Sequence, residues 1–140
     1  MYDIDAMLMG LSALFQAHTL AFLLVGFFLG FFVGAIPGFN DANIMAILLP
    51  FTLLMEPVVA IVCMAAIYSG AQAAGSIPAI LMNIPGTPGN AATTLEGYAL
   101  SKAGRSGYAL GLSLGASSWG ALLGATMTFV LAPVLRMFAL

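Results

Sequence analysis

The sequence predicts an all-α integral membrane protein, a polytopic helical bundle with interrupted or re-entrant helices. Two observations carry the class, and a third carries the interruption. Only 6% of the 140 residues are charged while 62% are hydrophobic, and the mean hydropathy is +1.10. A soluble domain carries about 25% Asp, Glu, Lys and Arg; a chain this poor in charge cannot cover a water-facing surface, so lipid is its solvent. Three apolar runs approach the roughly 20 residues that a helix needs to cross a hydrocarbon core of about 30 Å. Between them, Pro-Gly steps cut the apolar pattern.

The first segment, 1–17, places Ile4, Met7, Leu8, Leu11, Leu14 and Phe15 at helical spacing, with Asp3, Asp5, Ser12 and Gln16 largely opposite. That pattern predicts an amphipathic helix in the membrane interface, with Asp3 and Asp5 as solvated charges. The start Met1-Tyr2-Asp3 is acidic and no Lys or Arg precedes Lys102, so a cleaved leader is not expected. Residues 19–36 form the first expected span. Gly26, Gly30 and Gly34 share one of its faces, where small residues let another backbone approach closely; the sequence does not name the partner.

The run breaks at Pro37-Gly38-Phe39-Asn40-Asp41-Ala42-Asn43. The next apolar piece ends at Glu56 and holds Pro50, so 40–55 reads as an interrupted or re-entrant segment, or part of a kinked span. Residues 57–74 are the second expected span, opened by Pro57. A second interrupted segment, 76–90, carries Pro78 and Asn83-Ile84-Pro85-Gly86-Thr87-Pro88-Gly89-Asn90. Asn90 suits an N-cap for a polar helix and loop over 91–106, with Thr93 and Thr94 in its first turn. Lys102 and Arg105 give that loop a weak cytoplasmic vote. Residues 108–131 form the third expected span, with glycines 107, 111, 115, 120 and 124 and a mid-span Trp119 expected to pack against protein. The chain stops at Leu140 within apolar sequence, so an incomplete domain is expected.

Several chemistries are unsupported. The net charge of −2 gives nothing for nucleic acid to bind. Cys63 alone makes neither an internal disulfide nor a cysteine-based zinc site. His18, the single histidine, reads as an interfacial side chain rather than a ligand. Asp41, Glu56 and Glu96 sit in separate segments, and Ser69 and Ser76 lack a nearby base, so neither paired carboxylates nor a triad is expected. No enzyme and no cofactor are predicted.

The breaks are the informative feature. Ile36-Pro37-Gly38 recurs as Ile84-Pro85-Gly86, each followed by Asn and a helix-forming run. Broken backbone at membrane depth is tolerated where protein or a water-filled cavity satisfies its polar groups. Discontinuous transporter helices use such groups to hold anions and cations; two extramembrane turns fit the pattern equally. Asp41, between apolar segments beside Asn40 and Asn43, fits a Na⁺ or proton site, with Asn40 as a further metal ligand, or a helix N-cap.

Specific strings then identify a resemblance. Gly34-Ala35-Ile36-Pro37-Gly38-Phe39, Ala46-Ile47-Leu48-Leu49-Pro50-Phe51-Thr52 and Ile67-Tyr68-Ser69-Gly70 precede Gly75-Ser76-Ile77-Pro78-Ala79-Ile80-Leu81-Met82-Asn83-Ile84-Pro85-Gly86-Thr87-Pro88. Ala91-Ala92-Thr93-Thr94-Leu95-Glu96-Gly97-Tyr98 continues the series. From about Gly26 to Thr126 the chain resembles the large membrane subunit of the bacterial tripartite tricarboxylate transporter family.

The resemblance implies one incomplete half of an inverted-repeat secondary transporter for citrate-like carboxylates in the bacterial inner membrane. It further implies coupling to a Na⁺ or H⁺ gradient, a small membrane subunit and a periplasmic solute-binding protein. Its signature stretches fall on Pro37 to Asn43 and Asn83 to Thr94. The residues expected to line a substrate or ion site are Gly38, Asn40, Asp41, Asn43, Ser76, Asn83, Gly86, Thr87, Thr93 and Thr94. Many relatives carry a small residue where this chain has Asn40-Asp41. A carboxylate there repels an anion, so Asp41 is expected to serve a cation, or the cargo differs. The family's subunit is also several times longer. A non-transporting membrane scaffold, with glycine stripes as its binding surfaces, is the competing expectation; a channel-like oligomer is a third.

Overall fold

The computed structural model describes residues 4–139, with side chains from 9 to 131. Every regular element among them is helical. In order they are α1 (Ile4–Leu14), α2 (Ala17–Gly34), α3 (Asp41–Thr52), α4 (Pro57–Ala74), α5 (Ser76–Met82), α6 (Ala91–Lys102) and α7 (Ser106–Ala139), with a 3-10 turn at Pro88–Asn90 before α6. Three stretches are long and apolar enough to cross a membrane: Ala17–Gly34, Pro57–Met82 and Ser106–Leu131. The apolar positions Ile4, Met7 and Leu8 of the amphipathic reading lie outside the described side chains.

The α2–α4 pair is the core, and its glycines set the distance between the helices. A Cβ at Gly26 would lie 2.8 Å from the Cys63 carbonyl oxygen, one at Gly30 would collide with the Ile67 backbone, and one at Gly34 with that of Ala71. From the other side, a Cβ at Gly70 would strike the Phe27 carbonyl. The helices are therefore in backbone contact, burying Ile67 and Ala71 almost completely. Without a hydrophobic drive in lipid, such close dispersion packing is what associates helices. The partner that the glycine face of α2 requires is α4.

These contacts also give the direction. Gly26 meets Cys63, Gly30 meets Ile67 and Gly34 meets Ala71, so α2 and α4 run parallel. His18 and Glu56 pair at the start of both helices, with Nε2 and Oε2 3.7 Å apart. Parallel neighbours need a connection that returns over the same height, and α3 provides it. Its start meets α4 at Gln72; its end lies with Phe22, Gly26, Met55 and Cys63 around an apolar cavity of about 210 Å³. Twelve residues of helix rise about 18 Å, and the non-helical flanks cover the remainder. The segment is thus the returning connection between two parallel helices, running from beside Gln72 back to the Cys63 end of α4.

The α4 helix reaches Gly75, continues as α5, and ends at Asn83, whose φ of 59° is left-handed. The chain then folds back, the Gly86 N–H donating to the Gly75 carbonyl at 3.1 Å. From there α6 leaves beside α5, close enough that a Cβ on Gly97 would lie 2.8 Å from Ile80 Cγ1. A Schellman motif closes α6: Gly104 (φ 76°) donates to Ser101 and Arg105 donates to Leu100. A Ser101–Ser106 hydroxyl contact of 2.8 Å and cations over the Tyr98 and Tyr108 rings hold this turn.

The final helix departs from expectation. Trp119 is 69% exposed, and every residue from Leu114 to Leu131 is exposed within this chain. Glycines 107, 111, 115, 120 and 124 have nothing within 4 Å of an added Cβ. Among the described residues the helix packs on α5 and α6 through its first turns, and from Leu114 to Leu131 it stands clear of them.

Candidate functional site

The two Ile-Pro-Gly steps take different conformations. At the first, the Phe39 N–H donates to the Ile36 carbonyl at 3.2 Å and Gly38 has a φ of 85°. Proline second and a left-handed glycine third define a type II turn. The Asn40 side chain then accepts the Asn43 N–H at 3.1 Å, capping α3. Asn40, not Asp41, is therefore the N-cap, and the Asp41 carboxylate is left to point elsewhere.

At the second step, Gly86 is buried. A Cβ on it would lie 2.5 Å from the Gly34 carbonyl oxygen and 2.7 Å from the Gly75 Cα. Three glycines, one from each of α2, the α4–α5 junction and the returning segment before α6, thus meet backbone to backbone. Only residues without a Cβ allow that approach, and it brings Thr87 against α4.

The result is a chain of polar contacts that joins the two breaks. Gln72 Nε2 donates to Asp41 Oδ2 at 3.1 Å. The Thr87 hydroxyl, 1% exposed, donates to Gln72 Oε1 at 2.9 Å. Asn90 Nδ2 donates to Thr87 Oγ1 at 2.8 Å and to the Gln72 carbonyl at 3.2 Å. No buried side-chain N or O among the described residues lacks a partner. The N-termini of α3 and α6 both converge on Gln72, so two partially positive helix ends face one polar cluster.

Of the expected site residues, Asp41, Gly86 and Thr87 come together here. Ser76 is buried nearby, its hydroxyl turned back onto Ala73 at 3.0 Å. Thr93 and Asn90 line an open groove of about 640 Å³ between α5, α6 and α7, while Thr94 bonds the Ala91 carbonyl of its own helix. Gly38 and Asn43 are exposed beside the cluster, and Asn83 sits exposed at the distant tip of α5, where it and Ile84 turn onto the Pro78 carbonyl. Among the described residues no group of three or more His, Cys, Asp or Glu forms a metal cluster.

Two members of the cluster were not expected. Asn90 starts α6 but makes no side-chain cap; its amide serves Thr87 and Gln72 instead. Gln72 is hidden in the sequence among Ser69, Gly70, Ala71, Ala73 and Ala74. A lone amide in a stretch of small, apolar-facing residues was the available signal. His18 likewise has a carboxylate neighbour, Glu56, that no spacing revealed.

Residues 20–140 match the description of the tripartite tricarboxylate transporter TctA family. The chain belongs to that family. It is also 33% identical over 132 residues to an uncharacterised 52.8 kDa protein in the TAR-I ttuC′ 3′ region of Agrobacterium vitis, covering 94% of this chain and 26% of that relative. This TctA-family chain thus spans about a quarter of the curated relative it matches. No solved structure matches it. The matched region begins within the first turn of α2 and includes both Pro-Gly breaks and the whole polar cluster of this TctA-family chain.

Proposed function

We propose that this chain is the N-terminal portion of an ion-coupled secondary transporter subunit in the bacterial inner membrane. Its cargo is a tricarboxylate or similar citrate-like carboxylate, delivered by a periplasmic binding protein and moved with the help of a small membrane subunit. The observation that carries this reading is the meeting of both Pro-Gly breaks at one cluster: Asp41, Gln72, Thr87 and Asn90. Two helix N-termini there favour an anion. Asp41 opposes one, so its carboxylate serves the coupling cation, Na⁺ or H⁺, with Asn40 beside it. Gly86 and Thr87 lie at the centre of the site, and Gly38, Asn43, Ser76, Thr93 and Thr94 flank it; Asn83, at the α5 tip, lies apart from it.

The exposed glycine face of α7 favours a further packing partner, in keeping with a site completed by the remainder of the transporter. The same face is what the scaffold reading uses. Uptake of labelled citrate into proteoliposomes by the complete assembly separates the two. Binding-protein-dependent uptake that falls sharply in a Thr87→Ala variant while Thr87→Ser largely keeps it supports transport at this site; unchanged uptake in Thr87→Ala removes the residue assignment. No uptake by the intact assembly favours the scaffold.

A further inference from the structure

The cavity of about 210 Å³ between α2, α3 and α4 takes no part in the polar cluster. Its α2 wall repeats at helical spacing, Phe22, Val25 and Leu29, and so does its α3 wall, Leu48, Phe51 and Met55. Two faces patterned for packing thus look at each other across a gap, which Cys63 and Met64 of α4 close from behind. The gap is dry. Its one hydroxyl, that of Thr52, donates to the Leu49 carbonyl at 2.6 Å, and its walls expose no nitrogen or oxygen. A buried water needs about two to four polar partners, whereas an apolar cavity of about 150 Å³ already admits benzene. This larger one has room for a stretch of hydrocarbon chain. Left empty, its walls would forfeit the dispersion contacts that hold helices together in lipid.

Depth in the membrane names the hydrocarbon. The Glu56 side chain is 78% exposed and paired with His18. A carboxylate is costly inside the bilayer, so the pair marks the boundary where α2 and α4 begin. At a rise of about 1.5 Å per residue, Phe22 lies about 6 Å and Leu29 about 16 Å beyond His18, and Cys63 about 10 Å beyond Glu56. In a hydrocarbon core about 30 Å thick, that is acyl-chain depth within one leaflet. Phe22, Val25, Leu29 and Phe51 are exposed at the rim, so the cavity is continuous with the lipid-facing surface of the chain.

We propose that this cavity binds one acyl chain of a bilayer phospholipid, from the leaflet that His18 and Glu56 border. The acyl chain supplies the packing between α2 and the end of α3, so lipid holds the end of α3 opposite Asp41. The inference stands apart from the transport reading.

Photo-crosslinking of the complete assembly tests it. The vesicles are phosphatidylethanolamine and phosphatidylglycerol, doped with a phosphatidylethanolamine that carries a diazirine at mid-acyl chain, and peptide mass spectrometry places the adducts. Cys63 and Met64 should carry several-fold more adducts than with the same lipid bearing its diazirine on the headgroup. Val25→Trp fills the cavity from the rim and Leu48→Trp from the α3 wall. Each should remove those adducts, while adducts on Ile61, exposed on α4 outside the cavity, persist. Loss in either variant with Ile61 still labelled upholds the site. If the acyl-chain probe leaves Cys63 and Met64 unlabelled in the wild type, the site is overturned, whether another segment of the assembly fills the gap or nothing does. Equal labelling by the headgroup probe, or adducts that persist in both Trp variants, overturns it as well.

Discussion

Replacing Gly30 by alanine tests the packing on which the site is built. A Cβ there lies 2.8 Å from both the carbonyl carbon and the Cα of Ile67, and closer still to its oxygen. Carbon contacts are normally about 3.5–4.0 Å. Both colliding groups are backbone, so neither rotates aside, and α2 must move from α4 by about 1 Å. A gap of that size forfeits a quarter to a half of each dispersion contact along the seam, and overpacking of this kind costs about 1–3 kcal/mol. Alanine's helix preference over glycine returns about 1 kcal/mol, leaving a net loss of up to about 2 kcal/mol. Gly111→Ala is the matched control, because nothing lies within 4 Å of its Cβ and only the helix-preference gain remains. Denaturant unfolding of the reconstituted chain, followed by helical circular dichroism, gives both values. Gly30→Ala should unfold earlier than wild type and Gly111→Ala no earlier. A Gly30→Ala chain as stable as the Gly111→Ala chain would refute the backbone-contact argument.

Three further outcomes follow from the same geometry. Thr87→Val leaves Gln72 Oε1 without its donor and Asn90 Nδ2 without one of its acceptors, so it should cost about 1–3 kcal/mol in the same unfolding assay, while Thr87→Ser costs clearly less. Asn83 holds a φ of 59°, a region in which most side chains lose about 1–2 kcal/mol; Asn83→Val should therefore destabilise and Asn83→Gly should not, as thermal melts in detergent would report. The His18–Glu56 contact is long, at 3.7 Å, and exposed, so Glu56→Gln should change stability by no more than about 1 kcal/mol, measured by the same melts.

Much of the architecture was legible because lipid writes a simple rule into sequence. Uncharged runs mark the long helices: the run from 57 to 74 coincides with α4, Pro57–Ala74, and the apolar stretch continues to Met82. Periodic glycines marked the face of α2 that is packed. Periodicity identifies a face but not its partner, which is why the parallel α2–α4 pairing, and with it the traverse of α3, required coordinates. The same spacing on α7 has no partner among the described residues, so identical signals have different outcomes. Repetition misled in a smaller way. The two Ile-Pro-Gly steps look equivalent, yet Gly38 serves a turn and Gly86 serves a close backbone approach. Gln72 was missed because no local pattern marks a side chain whose partners lie 31 and 15 residues away.

The central claim is that an anion binds where α3 and α6 begin. It is tested by placing single cysteines at Asn43 and Thr93, in the first turns of those helices, with Cys63→Ala as background and His18→Cys as a distant control. Reaction with a water-soluble thiol reagent is timed in the complete assembly, with and without citrate. Citrate should slow labelling at both positions and leave His18→Cys unaffected. If citrate is transported yet labelling at both positions proceeds at its unprotected rate, the substrate site lies elsewhere.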